Sequence, residues 1–524
     1  MATRVETKEE LIKRDIKRLH GLGYAQELYR AMGGFSNFAI SFTIISILSG
    51  ALTLFGTGIN SSGPVAGSIG WPVVSLFVLI VGLAMAELAS AYPTAGGLYY
   101  WSSKLGGPGW GWYTGWFNLL GQFAITAGID YGLAFFLNVW LNLKFTQLPV
   151  SFQSVLVFYA IVLVVHALMN IFGIKVVAFL NDISVWWHIV GVLVIVGALL
   201  FFAPHNPEGL AFAFKTGYTT TGFPFWYAFL LGLLLAQYTF TGYDASAHVS
   251  EETVGADTRA PWGIVMSIVV SAIAGFVLLM GLILAIPDLD KAAGANINGI
   301  STAVPYILQT RLGGDAAFVL LGLVVVAQFF CGMSSITSNS RMIYAFSRDG
   351  AMPLSNVWHA LSKRRIPANA CWLAVVVAFL LAVPSLWNYT AYVAITSIAV
   401  IGLYIAYVIP VLLRRLNRDF KSGVWNLGRF SAPIGWIAIV WVAFISVLFM
   451  LPTITPITRD DFNYTPVVVL GSLILLTIWW LASVRKWFKG PIIQGDEAAL
   501  EKIEAEIEAE SVFHEPSASL PHEP

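Results

Sequence analysis

Residues 45–58, ISILSGALTLFGTG, and residues 238–246, YTFTGYDAS, decide how this chain folds. Each places small and polar residues in the middle of a long apolar stretch, Ser-Gly-Ala at 49–51 and Thr-Gly-Tyr-Asp at 241–244. A helix that is interrupted inside a membrane exposes backbone N–H and C=O groups that hydrocarbon cannot satisfy. Such a break is tolerated only where it lines a cavity. The two breaks therefore predict a ligand site within a membrane.

Composition indicates the same environment. The chain is 57% hydrophobic and only 11% charged, against about 25% charged residues in an ordinary soluble domain. Because about 20 consecutive apolar residues cross a bilayer as a helix, the sequence predicts an all-α integral membrane protein with twelve spans. We number them 1 to 12, and we place them at 35–60, 71–91, 110–141, 152–172, 182–203, 225–250, 261–286, 316–346, 368–386, 389–413, 433–452 and 465–485.

The basic residues are distributed asymmetrically about these spans. With twelve spans, all but five of the 29 Lys and Arg residues fall on one side of the membrane. The five exceptions are Lys144, Lys215, Lys291, Arg311 and Arg459. Cytoplasmic loops are enriched in Lys and Arg, so we expect both termini in the cytoplasm. If one span had been missed, the later clusters of Lys and Arg would fall on the opposite side of the membrane. The asymmetry therefore also supports an even number of spans.

Several classes of protein are not supported by the residues. Cys331 and Cys371 both fall in or at the edge of spans, which excludes a disulfide framework, and no metal-binding spacing is present. His166, His188 and His248 show no spacing with Cys or paired acids that would make a catalytic centre. No nucleotide-binding loop occurs. We expect no enzyme activity, no cofactor, no metal and no nucleic-acid partner.

Four blocks carry a resemblance to a known family: Gly34–Gly58, Glu87–Trp101, Thr239–Pro261 and Asn339–Pro353. With these four blocks in this order, the chain resembles the amino acid, polyamine and organocation superfamily. The resemblance is strongest to the branch of amino acid, gamma-aminobutyrate (GABA) and choline permeases. The resemblance implies a leucine-transporter-type fold in a plasma membrane, with the bacterial inner membrane as the expected location.

That fold has two inverted repeats of five spans, each beginning with a discontinuous helix. The sequence supports this independently, because the two interrupted stretches stand first in each half and start from opposite sides. The predicted regions are a cytoplasmic amphipathic N-terminal segment, a transport core made of repeats 35–203 and 225–413, two additional spans, and a cytoplasmic C-terminal tail. In full they are 1–34, 35–413, 433–485 and 486–524.

The ends of a broken helix suit a zwitterion. N-terminal amides and C-terminal carbonyls each carry about half an elementary charge. By resemblance, a substrate carboxylate would lie against Ser49, Gly50 and Ala51, and an amine against carbonyls near Phe240 and Thr241. The alternative for the Ser-Gly-Ala segment is close helix packing alone.

Further site residues are predicted beside the second break, which includes Gly242. Tyr238, Phe240 and Tyr243 are candidates for closing over substrate or for contacting its ammonium group, and ordinary packing is the alternative. Asp244 is an ionisable group in an apolar stretch. It pairs with the substrate amine or organises the broken segment, or else it caps the next half-helix.

Spans 3, 5 and 8 supply the remaining candidates. Asn118 and Gln122 lie on one side of span 3 at helical spacing and are expected to contact substrate. His188 stands where related cationic amino acid transporters have a lysine that substitutes for sodium. It is a candidate proton carrier, or else a buried neutral histidine. The hydroxyl run at 334–338 in span 8 offers ligands for sodium as the alternative coupling ion.

Together these features predict a secondary active permease for a small amino acid or an amino-acid-like zwitterion such as GABA, working by alternating access with proton symport. The partners are then an amino acid or amine substrate, protons or sodium, and membrane lipid. An importer of organic cations such as choline or a polyamine, a sodium-coupled symporter, and a nutrient sensor on a transporter scaffold are the alternatives.

Overall fold

The computed structural model describes residues 7–172, 174–297, 300–386, 390–459 and 461–510, and they are mostly helical. Eleven helices in this part of the chain are long and apolar enough to cross a membrane. A shorter apolar helix, Phe225–Thr239, lies in the predicted span 6. Its brevity follows from the interruption after it. The chain is an integral membrane protein of the all-helical class.

The first half follows the predicted spans closely. Span 1 is three pieces, Gly34–Ile45, Gly50–Thr53 and Phe55–Ser62. The later helices of this half are the π-turn Ala66–Gly70 that leads into Trp71–Ala91, the shorter Gly97–Gly106, then Pro108–Asn142, Phe152–Phe172, Ile174–Phe202 and the one-turn Leu210–Ala213. Span 5 begins eight residues before its predicted start. The helix continues through Lys175, whose ammonium group lies over the Tyr29 ring at 5.2 Å from the centroid.

Span 6 is also divided, into Phe225–Gly232, Leu234–Thr239 and Ala245–His248, and the short 3-10 helix Ser250–Glu252 follows it. The later spans are Ala256–Leu284, Gly314–Arg348, Ala368–Ala382 with a 3-10 turn Val383–Leu386, Thr390–Leu416, Ser431–Leu448, and Thr465–Trp479 with a π-turn Trp480–Val484. Between spans 7 and 8 lie helices Leu289–Gly294 and Ala303–Leu312 and the antiparallel strands Asn296–Ile297 and Ile300–Ser301. Short helices Ser355–Trp358, Gly428–Phe430 and Arg485–Trp487 complete the connections.

The N-terminal helix, Lys8–Gly21, docks on the protein. Arg14 and Arg18 pair with Asp257 at 3.3 and 2.8 Å, and the Asp15 carboxylate accepts a 2.6 Å hydrogen bond from Gly255 N–H. The sequence predicts an amphipathic segment here. These contacts attach its charged side to the start of span 7.

The C-terminal helix, Glu497–Glu510, lies on the same side of the molecule. Glu504 is 2.8 Å from the His20 ring nitrogen, and Leu500 is buried. We call this side the terminal face. Both ends of the described chain thus cover the terminal face of the helix bundle.

Two ion pairs are buried beneath these segments. Arg341 lies 2.9 Å from Glu252, and each side chain is 1% exposed. Arg348 makes two 3.0 Å hydrogen bonds to Glu251. Both arginines are in span 8 and both glutamates follow span 6, so the pairs hold these two elements together at the terminal face.

Replacing Arg341 with Gln leaves the Glu252 carboxylate buried without its cation. Loss of one partner of a buried pair typically costs about 3–5 kcal/mol. We expect a clearly lower Tm for purified R341Q protein in detergent. The matched control is Lys363→Gln, which removes an exposed cation. An equal Tm for both variants would show that the pair does not stabilise the fold.

Candidate functional site

The break in span 1 lies one turn before its predicted position. Helix Gly34–Ile45 ends at Ser46, which adopts a left-handed conformation with φ of +33°. The Ser46 carbonyl accepts hydrogen bonds from the N–H groups of Ser49 and Gly50 at 2.8 and 3.0 Å. Gly50 and Ala51 consequently lie in the first turn of the next helix, where N-terminal amides concentrate positive potential. The small residues mark the helix start, and Ser46 marks the break itself.

The break in span 6 is where the sequence predicts it. Helix Leu234–Thr239 ends, and the chain becomes irregular until the turn that starts at Ala245. Gly242 has φ of +90°, a conformation that L side chains rarely adopt. A Cβ atom at Gly242 would also lie 2.1 Å from Ile44 Cγ2. Glycine is thus required here by both backbone conformation and contact with span 1.

The two breaks lie against each other. A Cβ atom added to Gly50 would be 2.9 Å from Thr239 Cα, so the absence of a side chain lets the two helices approach. The exposed fraction of Ser49, Ala51, Phe240 and Thr241 is at most 3%. The predicted segments of spans 1 and 6 therefore meet in the protein interior.

The carbonyl end of helix Leu234–Thr239 is partly satisfied by hydroxyl groups. Tyr404 donates to the Phe240 carbonyl at 2.5 Å, and Thr241 donates to the Tyr238 carbonyl at 2.7 Å. The Phe240 ring packs on Trp71 with centroids 4.7 Å apart. The Tyr238 hydroxyl is buried without a hydrogen-bond partner among the described residues. Of these aromatic candidates, Phe240 packs against a neighbouring ring, whereas the hydroxyl of Tyr238 has no hydrogen-bond partner among the described residues.

Asp244 is the centre of a buried polar cluster. Tyr407 donates to its Oδ1 at 2.7 Å, while Gln122 and Asn118 donate to its Oδ2 at 3.1 and 3.4 Å. His248 Nε2 lies 3.2 Å from the same Oδ2. The carboxylate makes no capping bond to the following turn. The predicted capping of the next half-helix is therefore not seen, and the role of Asp244 in organising the break stays a prediction.

Three residues of this cluster were missed by sequence reasoning. Tyr404 and Tyr407 come from span 10, and their rings pack together with Tyr243 at centroid distances of 4.9 to 6.2 Å. His248 follows Asp244 by four residues, one helical turn. That spacing was the available signal for His248, whereas nothing local in span 10 indicated the tyrosines.

His188 lies against the break in span 1. Its Nδ1 donates to the Ser184 carbonyl at 2.8 Å, and its Nε2 is 2.7 Å from the Ser46 hydroxyl, which donates to it. This assignment of the ring proton follows from the partners. Both nitrogens of a neutral ring are then satisfied.

The hydroxyl run of span 8 is engaged in bonds within the protein. Ser334 donates to Asn181 Oδ1 at 2.5 Å and Thr337 to Asn170 Oδ1 at 2.6 Å. Ser335 donates to the Gly332 carbonyl, and Ser338 accepts from Gln122. These are the interhelical and helical bonds that serine and threonine commonly make in membranes.

The two faces of the molecule differ around the breaks. On the face opposite the termini, a cavity of about 290 Å³ is lined by residues that include Thr57, Asn60 and Thr220. On the terminal face, the Arg341 and Arg348 ion pairs fill the corresponding region. Beside them, burial raises the pKa of Asp349 to about 6, although Arg348 and the hydrogen bonds from Ile492 N–H and the Tyr24 hydroxyl oppose this.

A helical membrane bundle with two adjoining helix breaks in its interior is typical of a polytopic membrane protein of the permease class. The comparisons with known proteins agree. A family model described as amino acid permease matches residues 32–473. This chain belongs to the amino acid permease family, whose members are transporters and not enzymes.

Three relatives illustrate the range of the family. Amino-acid permease BAT1 of Arabidopsis thaliana is 44% identical over 494 residues, covering 91% of this chain and 96% of the relative. The GABA-specific permease of Saccharomyces cerevisiae is 31% identical over 509 residues, covering 94% and 88%. A putative polyamine transporter of Candida albicans is 27% identical over 502 residues, covering 92% and 90%. These relatives come from a plant and from fungi, so they do not support the bacterial inner membrane predicted from the sequence.

Gly242→Ala tests the geometry of the span 6 break. The added methyl group meets Ile44 in a backbone conformation that alanine resists, so we expect the two breaks to separate and uptake to fall about tenfold or more. The control is Gly197→Ala, where a Cβ atom meets nothing within 4 Å. Uptake into cells or proteoliposomes measures both variants. Normal uptake by G242A would contradict a role for this break in transport.

Proposed function

We propose that this protein is a secondary active transporter for a small amino acid or amino-acid-like zwitterion such as GABA. The observation that carries the proposal is the meeting of two interrupted helices, with the helix start at Gly50 and Ala51 beside the carbonyl end at Phe240 and Thr241. Opposite partial charges at two nearby helix ends match the carboxylate and the ammonium group of a zwitterion.

The remaining features of the transport core belong to the same proposal. We propose twelve spans, with spans 1 to 5 and 6 to 10 as inverted repeats and spans 11 and 12 as additions. The terminal face is cytoplasmic, as the distribution of Lys and Arg indicates. Substrate lies between the breaks, within a set of residues from spans 1, 3 and 6: Ser49, Gly50, Ala51, Asn118, Gln122, Tyr238, Phe240, Thr241, Gly242, Tyr243 and Asp244.

Alternating access is supported by the difference between the two faces. The cavity near Asn60 and Thr220 leads in from the face opposite the termini, while two buried ion pairs close the terminal face. In the proposed orientation this arrangement is open outward and closed inward. Transport then requires the ion pairs of Arg341 and Arg348 to separate while the outer cavity closes.

For the coupled ion we propose the proton. The span 8 hydroxyls of Ser334, Ser335 and Thr337 donate hydrogen bonds within the protein, but their oxygen lone pairs would still suit sodium, which stays the alternative ion. Of the two roles predicted for His188, its contacts favour the buried neutral histidine, because a neutral ring already satisfies both partners. The proton-carrier role of His188 stays a prediction.

His188→Gln decides between these two roles. Glutamine retains one donor and one acceptor but cannot be protonated. We expect H188Q protein to keep the pH dependence of uptake, measured in proteoliposomes from about pH 5 to 8, the range in which histidine titrates. A flat pH profile would instead establish His188 as the proton carrier.

Substrate class is tested by uptake of radiolabelled GABA into proteoliposomes and by competition with unlabelled compounds. If the helix amides bind a carboxylate, GABA and alanine compete, whereas the methyl ester of GABA, which keeps only the ammonium group, competes at least about tenfold more weakly. Equal competition by the ester, choline and putrescine would favour an organic cation importer. Binding of GABA without its accumulation would favour a nutrient sensor.

A further inference from the structure

His248 is placed so that both of its ring nitrogens face hydrogen-bond acceptors. Nδ1 lies 3.1 Å from the Ala95 carbonyl oxygen, and Nε2 lies 3.2 Å from Asp244 Oδ2. All three side-chain and backbone groups are in the protein interior, and the His248 and Asp244 side chains are 0% exposed. A neutral imidazole has one N–H and therefore satisfies only one of two acceptors. To satisfy both acceptors, the pair must hold one more proton than a neutral imidazole and an ionised carboxylate hold together.

The partners of Asp244 indicate where this proton resides. The carboxylate also accepts hydrogen bonds from Tyr407, Gln122 and Asn118. Hydrogen bonds donated to a carboxylate stabilise its charged form. These hydrogen bonds favour an imidazolium beside a carboxylate over a neutral imidazole beside a carboxylic acid.

The contrast with His188 is instructive because that ring is equally buried. One of its nitrogens faces a carbonyl and the other faces the Ser46 hydroxyl, which can donate. No carboxylate is among its hydrogen-bond partners in the described residues. Two buried histidines of one chain thus have partners suited to different charge states, neutral for His188 and protonated for His248.

Other ionisable groups around the pair are already matched. Glu251 and Glu252, on the turn that follows His248, are paired with Arg348 and Arg341 of span 8. Span 7 presents Asp257, which is paired with Arg14 and Arg18. Span 10 presents Tyr404 and Tyr407, and the first helix of span 1, GFSNFAISFTII, carries no ionisable side chain.

We propose that the Asp244–His248 pair is the proton-binding site that couples transport to the proton gradient. This inference rests on the proposed function as a proton symporter. It moves the proton site from span 5 to the span 6 break, directly beside the proposed substrate position.

The location of the pair explains how a proton controls the inner closure. Asp244 ends the irregular segment at the substrate site, while Ala95 belongs to the turn between span 2 and helix Gly97–Gly106. The Ala95 N–H donates to Glu251 at 3.0 Å, which ties this turn to the ion pair with Arg348. Protonated His248 therefore bridges the substrate site and the closed terminal face.

Loss of the proton breaks this bridge. A deprotonated ring presents a lone pair to either the Ala95 carbonyl or the Asp244 carboxylate at hydrogen-bonding distance, and one of these contacts has to open. In the proposed orientation, the proton comes from the external solution, is held on His248 in the closed state, and leaves to the cytoplasm when the terminal face opens. No covalent bond other than N–H is made or broken.

A spectroscopic test needs no substrate. Solid-state 15N NMR of histidine-labelled protein in lipid bilayers distinguishes an imidazolium from a neutral ring. At pH 7 we expect the resonances lost in H248Q to be those of an imidazolium, and those lost in H188Q to be those of a neutral ring. If H248Q does not fold, D244N serves instead, since loss of the carboxylate should turn one imidazolium signal into a neutral one. A neutral His248 in the wild type would overturn the proposal.

A transport test uses proteoliposomes loaded with one pH unit of gradient and radiolabelled GABA. Symport of one proton then drives about tenfold accumulation, since each tenfold ratio corresponds to about 1.4 kcal/mol. We expect H248Q to reach a ratio near one and to lose the pH dependence of uptake, while H188Q accumulates as the wild type does. Full accumulation by H248Q would overturn the proposal.

Failure of the proposed function has a different signature. If wild-type protein neither binds nor accumulates GABA, alanine or any other zwitterion, the transport assignment is wrong. The NMR result decides the charge of His248 independently of that outcome.

Discussion

The obligation to satisfy every backbone polar group inside hydrocarbon is the constraint on which this structure depends. An unbroken helix meets it automatically, and most of the spans do so. The two interrupted spans meet it through the rest of the protein. Ser46 bonds the amides that restart span 1, and the hydroxyls of Tyr404 and Thr241 bond the carbonyls that end the first part of span 6. The proposed substrate position lies between these ends.

Buried charged groups must also be satisfied within the protein. They occur in two places, at the terminal face and at the span 6 break. Close to the terminal face, arginines and glutamates form complete ion pairs whose separation is costly. Such pairs suit a closed face that opens only when another part of the protein changes its contacts. At the span 6 break, Asp244 and His248 lie 3.2 Å apart and form the proposed proton site. Contacts through Ala95 and Glu251 link this proposed site to the closed terminal face, as a coupled gate would require.

The membership in the amino acid permease family fits this division. The relatives named above carry names that refer to amino acids, GABA and polyamines, which share an ammonium group. An ammonium site made from carbonyl groups serves all of them, whereas a carboxylate site made from helix amides serves only the first two. In the proposed site, this chemical difference between substrates concerns span 1, where the second helix starts at Gly50 and Ala51.

Sequence alone indicated the all-helical membrane class, the positions of both breaks to within a turn, and Asn118, Gln122 and Asp244 as polar residues of interest, which the structure brings into contact. Hydrophobicity, helix-breaking residues and one-turn spacings are local properties, so they can be read from neighbouring letters. Only the tertiary structure decided that Tyr407, 163 residues away, completes the Asp244 cluster, and that His248 and His188 have opposite surroundings. Which side chains meet depends on how packed helices are rotated about their axes, and no local pattern encodes that rotation.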